Sequence, residues 1–200
     1  MNDVTAKRTY NLGRRAETAE ATGQRILDSF ASRMGQNWFE DIRLEDVAAD
    51  AGVTAQTILR RFGSKDGLLE ATCERMGHEV RSRRASPPGD LATVVHGVVA
   101  DYEASGDLIL RMLSQEDRHP AVKRMTNIGR ASHRAWLAQA CAPWLDPARP
   151  ERLDALVVAT DVYVWKLIRR DMGRSVAALE ALMRRLVASA LDLSPNPPPS

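Results

Sequence analysis

The chain has 200 residues, of which 44% are hydrophobic and only 5% aromatic, and its formal net charge is +2. This apolar content is enough for a buried core, and abundant Ala, Leu and Arg with few aromatic residues favour helices over sheets. With so small a charge, any nucleic-acid surface must come from the placement of cations and not from their sum. The spacing of Cys73 and Cys141 fits neither a metal site nor a disulfide framework. With no secretory leader and no apolar run of membrane-spanning length, we expect a soluble cytoplasmic protein without cofactor, metal or membrane partner.

The first part of the chain predicts an arm followed by one helix. Residues 1–13 are polar and basic and are expected to form a flexible arm. Helical spacing of apolar residues then predicts a helix that ends near Met34, with Ile26, Leu27 and Phe30 on its buried side. Gly23 lowers helix propensity by about 1 kcal/mol relative to Ala, so the helix start is placed between residues 14 and 22. Gly35 is expected to close the helix in a left-handed conformation.

The window 38–69 predicts two short helices joined by a tight turn. The apolar face of the first helix consists of Leu44, Val47, Ala48 and Ala51, and Gly52 ends it. Thr54 is a good N-cap for the second helix, whose inward-facing residues are expected to be Ile58, Leu59 and Phe62. Gly63 then breaks that helix, and Ser64 caps the next one. Two short helices with a Gly-containing turn, flanked by longer helices, predict a helix-turn-helix.

The second half of the chain predicts further helices and no strand. A Ser-Pro-Pro-Gly break at 86–89 separates it from the first half. Apolar spacing predicts a helix after Leu91 that Gly106 interrupts, a long helix from Pro120 to about residue 142, and two final helices over 151–171 and 175–193. The proline-rich tail 194–200 is expected to be disordered.

The window 38–69 resembles the DNA-binding signature of the TetR family of regulators. It reads WFEDIRLEDVAADAGVTAQTILRRFGSKDGLL, and the matching parts are the aromatic-rich turn, the D-V-A-x-x-A-G-V-T core, Phe62 and the G-S-K-D-G-L-L exit. The resemblance implies an all-α fold, in which an N-terminal three-helix helix-turn-helix domain (14–84) joins a larger helical ligand-binding and dimerisation domain (85–193). Two features depart from the family pattern: Arg43 replaces the usual Ser or Thr, and arginines replace the tyrosines at the end of the second short helix.

The resemblance also implies which side chains contact DNA. In a helix-turn-helix, the first turns of the recognition helix read bases and neighbouring groups hold phosphates. Gln56 suits a bidentate pair with adenine, and the methyl groups of Ala55 and Thr57 suit a thymine methyl. The remaining candidates, expected mainly on phosphates, are Arg43, Thr54, Arg60, Arg61 and Lys65. For Arg14 and Arg15 two interpretations remain open, namely insertion into a minor groove and exposure to solvent.

The second half is expected to hold an effector pocket and a dimer surface. Helical pockets are lined by apolar and aromatic side chains, and the candidates are Tyr102, Met112, Met125, Trp136, Tyr163 and Trp165. For any one of them, a place in the core is the favoured interpretation. The aliphatic faces of 151–171 and 175–193 favour a four-helix interface between two copies. His96 and His133 are interpreted as hydrogen-bonded polar groups and not as metal ligands. The cluster Arg81, Arg83 and Arg84 is interpreted as a solvated face.

These features favour a homodimeric repressor that binds palindromic operator DNA and is released by a small-molecule effector. The alternative is an activator, or a helix-turn-helix protein without an inducer, because the sequence does not separate repression from activation. An enzyme is disfavoured because no nucleophile elbow, zinc-binding helix motif, P-loop or glycine-rich dinucleotide turn is present.

Overall fold

The computed structural model describes residues 3–192, with side chains from residue 17 onward, and all regular structure in this part of the chain is helical. The helices are α1 (Asp3–Met34), α2 (Leu44–Ala51), α3 (Ala55–Phe62), α4 (Lys65–Arg83), α5 (Leu91–Leu113), α6 (Pro120–Ala140), a 3₁₀ turn (Ala142–Trp144), α7 (Glu151–Ala159), α8 (Val162–Lys166), a π-helical turn (Leu167–Asp171) and α9 (Val176–Ala190). None of the described helices is long and apolar enough to cross a membrane. The predicted tail 194–200 lies outside the described residues.

The chain divides into two compact units between Glu74 and Arg75, inside α4. The sequence places a domain boundary later, after residue 84, because the proline-glycine break there is the signal that a sequence pattern reveals. Each unit has its own core, and the two are described separately below.

The N-terminal unit is organised by α1, which packs along α2. The buried side chains come from all four of its helices and the turn before α2, and include Phe30, Phe39, Val47, Ile58 and Leu68. The rings of Phe30 and Phe39 meet edge to face at 6.4 Å between centroids. Arg33 on α1 bonds Asp50 on α2 at 2.6 Å, and Arg25 donates to the carbonyl of Ala51 at the end of α2. These contacts fix α2, and therefore the turn that follows it, on a long helix.

Two expectations for α1 differ from the structure. The helix begins at Asp3, so the stretch 3–13 that was assigned to an arm has helical backbone. No proline interrupts this stretch, and one glycine lowers helix stability by only about 1 kcal/mol. Gly35 does not adopt the positive φ that was expected, in contrast to Gly52, Gly63, Gly89 and Gly173. It donates instead to the carbonyl of Ala31, which continues the helical bonding pattern of α1.

The C-terminal unit has one hydrophobic core, formed mainly by α5, α6, α7, α8 and α9. The prediction that Gly106 interrupts α5 is wrong, because the helix runs unbroken from Leu91 to Leu113. A Cβ at position 106 would lie 2.7 Å from the Trp165 ring. The glycine therefore provides space for a buried tryptophan and does not end the helix.

The predicted helix 151–171 is divided into α7, α8 and a π-helical turn. Asp161 caps α8 by accepting the backbone N–H of Tyr163 at 2.8 Å. The Tyr102 hydroxyl donates to the carbonyl of Thr160 in the break. The cap and the side-chain donor thus provide partners for two backbone groups, the Tyr163 N–H and the Thr160 carbonyl, at the point where the helix is interrupted.

Candidate nucleic-acid interface

The turn between α2 and α3 is built as the sequence predicts. Gly52 adopts the left-handed conformation (φ 66°, ψ 39°) at the end of α2, and Val53 donates back to the carbonyl of Ala48 at 2.9 Å. Thr54 has extended backbone and caps α3. Arg43 precedes α2 in the capping position but provides no side-chain cap. The arginine is therefore an exposed cation beside the first turn of α2 and not a structural cap.

The cap of α3 uses the hydroxyl groups of two predicted contact residues. Thr54 Oγ1 accepts the backbone N–H of Thr57 at 3.2 Å. The two threonine hydroxyl groups also bond each other at 3.0 Å. Thr57 thus makes its hydroxyl bond inside the cap, which leaves its methyl group as the part of the side chain without a hydrogen-bonding role.

The exposed face of α3 carries Gln56, Leu59 and Arg60. The expectation that Leu59 points inward is wrong, because its side chain is 39% exposed whereas Ile58 is fully buried. Successive helical residues differ by about 100° in direction, so only one of two adjacent aliphatic residues points into the core. Ala55 is half-buried at the start of the helix.

Arg61 is directed back onto α1 in the same unit. Its Nη1 donates to the carbonyl of Ala19 at 2.7 Å, and its Nη2 lies 3.4 Å from Glu20 Oε2. A Cβ at position 23 would be 2.5 Å from the Arg61 Cζ atom. Gly23, which looked like a weak point of α1, therefore provides the space in which the guanidinium lies.

Lys65 is also engaged by its own chain. Its ammonium donates to the carbonyls of Phe39 at 2.6 Å, Glu40 at 3.2 Å and Ile42 at 2.9 Å, and lies 4.6 Å from the centre of the Phe39 ring. An ammonium has three N–H donors, and three carbonyls accept them here. Burial lowers the pKa of Lys65. These bonds differ from the phosphate contact that the sequence predicts, and they indicate that Lys65 holds the turn before α2.

Arg43 and Arg60 are exposed and make no ion pair with the side chains that the structure describes. Gln56, on the same helix as Arg60, is exposed as well. The side chains of Arg14 and Arg15 lie outside the described residues. An exposed, capped helix with cations on either side of a polar side chain has the chemistry that base reading and phosphate binding require.

The six predicted pocket residues do not form one group. Tyr102, Met112 and Trp165 are buried, Met125 and Trp136 are half-buried, and Tyr163 is 56% exposed. Tyr102 and Trp165 pack with ring centroids 6.3 Å apart, and Trp165 donates to Glu103 at 2.7 Å. The exposed Tyr163 therefore does not belong with the interior candidates.

A buried polar cluster lies among them, and the sequence did not predict it. Arg84 is only 6% exposed, although it was assigned to a solvated face. Its Nη2 donates to Asp101 at 2.7 Å, its Nη1 bonds His133 Nδ1 at 2.7 Å, and its guanidinium lies over the rings of Tyr102 and Trp136. A buried cation is stabilised only by such pairing, and no spacing rule connects residues this distant in sequence.

His133 is held in one tautomer by this cluster. Because an arginine only donates, Nδ1 must accept, and Nε2 then carries the proton toward Thr160 Oγ1 at 3.0 Å. Burial, with a contribution from the Arg84 charge, lowers the pKa of His133 to about 3. The other histidine, His96, bonds Glu180 at 2.9 Å. Both histidines are hydrogen-bonded polar groups, as predicted.

The segment 34–72, which contains the helix-turn-helix, matches the family described as bacterial regulatory proteins, tetR family. Salmonella enterica GusR is structurally similar, with a TM-score of 0.68 and 18% identity over 86% of this chain and 95% of that chain. A transcriptional regulator from Rhodococcus sp. Rha1 also has a TM-score of 0.68, with 15% identity over 88% of this chain and 99% of that chain. A Rhodococcus sp. protein classed with TetR-family regulators gives 0.63, at 18% identity over 85% and 98%. No curated protein sequence is similar enough to match this chain.

The matched segment contains a DNA-binding helix-turn-helix of the kind found in transcription regulators. The DNA-binding region of the chain is that of the TetR family, and the fold is TetR-like, with an N-terminal helix-turn-helix and a helical C-terminal part.

Proposed function

We propose that the chain is a repressor that binds palindromic operator DNA as a homodimer and is released by a small-molecule effector in the cytoplasm. The observation that carries the DNA-binding part is the exposed face of α3, where Gln56 and Arg60 lie free of the core on a helix capped by Thr54. A helix presented in this way fits a major groove, where a Gln side chain pairs with adenine. Arg43 and Arg60 then suit phosphates on either side.

The test of this proposal is sequence discrimination by Gln56. A duplex selected from a random pool by the wild-type chain serves as operator, and fluorescence anisotropy measures affinity for it and for random DNA. Gln56→Ala is expected to lower operator affinity by about 1–3 kcal/mol and to relax the preference at one base pair. Gln139→Ala, an exposed glutamine on α6, is the control. If Gln56→Ala left discrimination unchanged, the wrong face of α3 would have been assigned to the groove.

The homodimer part of the proposal is supported by the two sides of α9. Leu179 and Met183 are fully buried in the core of the unit, whereas Leu182 and Leu186 lie one turn apart and are 37% and 39% exposed. Further exposed apolar side chains of the same unit are Val158, Leu167 and Met172. An unpaired aliphatic stripe on the last helix suits a two-fold interface. Two copies would place their recognition helices about 34–36 Å apart, which requires a palindromic or nearly palindromic operator.

The effector part of the proposal is supported by the aromatic and thioether side chains in the interior of the C-terminal unit. Tyr102, Met112, Met125, Trp136 and Trp165 remain the candidates for contact with an apolar or amphipathic molecule. A ligand releases DNA only if it binds one conformation more tightly than the other. A thermal-shift screen detects such a ligand, and the same compound must then lower operator affinity. A stabilising compound that left operator affinity unchanged would favour a regulator without an inducer.

Activation is the second candidate, since the same DNA-binding surface serves both outcomes. Footprinting the operator against the promoter separates them, because a footprint that overlaps the polymerase site supports repression.

A further inference from the structure

Leu59 is a large apolar residue on the face of α3 that the proposed function directs toward DNA. Its side chain is 39% exposed, and it follows Gln56 by three residues and precedes Arg60. On a helix, residues three apart lie side by side on one surface. Leu59 and Gln56 are therefore neighbours on the exposed face.

Single exposed leucines are common and need no explanation on an ordinary surface. The surroundings of Leu59 are different in two respects. Arg60, the next residue, is exposed and makes no ion pair with the described side chains, so the surface beside Leu59 suits an anionic partner. The hydroxyl of Thr57, the other residue expected to read bases, bonds Thr54 inside the helix cap. The face thus has one polar reader, Gln56, and one large apolar group, Leu59.

Duplex DNA, approached through its major groove, is an anionic partner that also displays an apolar group. Phosphates line the groove, and the apolar group displayed on base edges there is the C5-methyl of thymine. Cytosine shows an amino donor, and the purines show acceptors and an amino donor in that groove, none of which an aliphatic side chain can satisfy. Leu59 placed against any polar edge would leave that group without its hydrogen bond.

We propose that Leu59 is a specificity-determining residue, which contacts a thymine C5-methyl group in each operator half-site next to the base pair read by Gln56. This inference rests on the proposed function and assigns part of its base preference to one side chain. Methyl-to-leucine contact removes apolar surface from water on both partners, which gives a preference for thymine over cytosine without a hydrogen bond.

The test is a double-mutant cycle between the leucine and the methyl group. The probe is the duplex that the wild-type chain selects from a random pool, in which each dT is replaced in turn by dU, which lacks only the methyl. The variants are Leu59→Ala, with Leu59→Met as the variant that retains an apolar side chain. Ile128→Ala, at an exposed aliphatic residue of α6, is the matched control. Alanine is the best helix former, and circular dichroism confirms that each variant is folded.

The wild type is expected to lose affinity about fourfold at one dT→dU position in each half-site, the effect of one methyl group returned to water. Leu59→Ala should abolish that sensitivity, whereas Leu59→Met and Ile128→Ala should retain it. If Leu59→Ala kept the same loss as the wild type, or if the wild type responded at no dU position, the inference would be overturned. Gln56→Ala distinguishes failure of this inference from failure of the proposed function. If Gln56→Ala loses discrimination between operator and random DNA, the proposed function is supported whatever the result for the Leu59 variants. Selection of no duplex at all would overturn the proposed function, and the inference with it.

Discussion

Two cations of the helix-turn-helix show how the role of a residue depends on what lies beside it. Lys65 and Arg61 both follow the part of α3 that is proposed to read bases, and their positions in the signature suggest phosphate contacts. In the structure the Lys65 ammonium bonds three backbone carbonyls of the turn before α2, and Arg61 bonds the backbone of α1. Lys65 and Arg61 thus bind their own chain, although Arg61 remains exposed. Arg43 and Arg60 are the arginines beside α2 and on α3 that make no ion pair with the described side chains.

Replacing Lys65 with Met should therefore affect stability and not the salt dependence of DNA binding. Hydrogen bonds from a charged donor contribute about 1.5–3 kcal/mol, so the free energy of unfolding in urea is expected to fall by that order. The slope of log Kd against log salt concentration should stay the same. Arg60→Ala is the comparison, and it should lower that slope by about one unit at unchanged stability. If Lys65→Met changed the slope without a loss of stability, Lys65 would be a phosphate contact and not a structural group.

His133 makes the stability of the protein sensitive to mild acid. Its pKa is lowered to about 3 in the folded chain, whereas an unfolded histidine titrates at about 6.5. Between these values the unfolded chain binds a proton that the folded chain does not, so stability falls as the pH falls, and above pH 7 the effect vanishes.

The expected slope of stability against pH for the wild type approaches about 1.4 kcal/mol per pH unit roughly one unit below the unfolded pKa. His133→Asn keeps an acceptor for Arg84 but does not titrate. The variant should therefore lose most of the difference in the free energy of unfolding between pH 7.5 and pH 5.5. Urea unfolding at the two pH values measures both. An equal pH dependence in wild type and variant would mean that His133 is protonated in the folded state.

At the scale of the element, glycines inside helices carry information that propensity alone misses. Gly23, Gly106 and Gly129 all lie within helices, but their surroundings differ. Gly23 faces the Arg61 guanidinium and Gly106 faces the Trp165 ring, whereas a Cβ at Gly129 would meet nothing within 4 Å. Two of these glycines therefore allow a close approach, and one is only a weak helix former.

Alanine substitution at Gly106 and Gly129 should have opposite effects on stability. Gly129→Ala should raise the free energy of unfolding by about 0.5–1 kcal/mol, because alanine orders a helix more easily than glycine. Gly106→Ala should lower it by about 1–3 kcal/mol, because the buried Trp165 ring must move to admit the new methyl group. Thermal or urea unfolding compares the two. If Gly106→Ala raised the free energy of unfolding, the Trp165 ring would be able to move aside without destabilising the core.

For the whole molecule, the proposed dimer depends on which residues of α9 face outward. The sequence stripe contains Leu179 and Leu186 alike, but Leu179 is fully buried within its own unit. The double variant Leu182→Glu, Leu186→Glu should yield folded monomers with greatly weakened operator binding. A single helix-turn-helix then binds without the contribution of the second copy. Leu179→Glu, in contrast, should unfold the C-terminal unit because it buries a charge.

Light scattering and circular dichroism at micromolar concentration separate these outcomes. A wild-type chain that is already monomeric would refute the dimer. A double variant that stayed dimeric would place the interface elsewhere than on α9.

Much of the fold followed from local pattern. Apolar spacing located α2, α3 and α6 closely, since amphipathic periodicity and caps are encoded within a few residues. The caps at Thr54 and Ser64 and the end of α2 at Gly52 were predicted and are present. Errors at Gly106 and at the break after α7 arose because contacts from distant residues supply the missing space or hydrogen bonds, and the start of α1 and the conformation of Gly35 were also predicted wrongly.

The sequence by itself determined the helical class, the helix-turn-helix and the position of its recognition helix, because these depend on neighbours within one or two turns. Only the tertiary structure decided that Leu59 is exposed, that Lys65 and Arg61 bind their own chain, and that Arg84 is buried with Asp101 and His133. A long charged side chain can reach solvent, a phosphate or a distant carbonyl with equal ease. Which of these it contacts depends on the packing of segments far apart in sequence, and no local spacing records that packing.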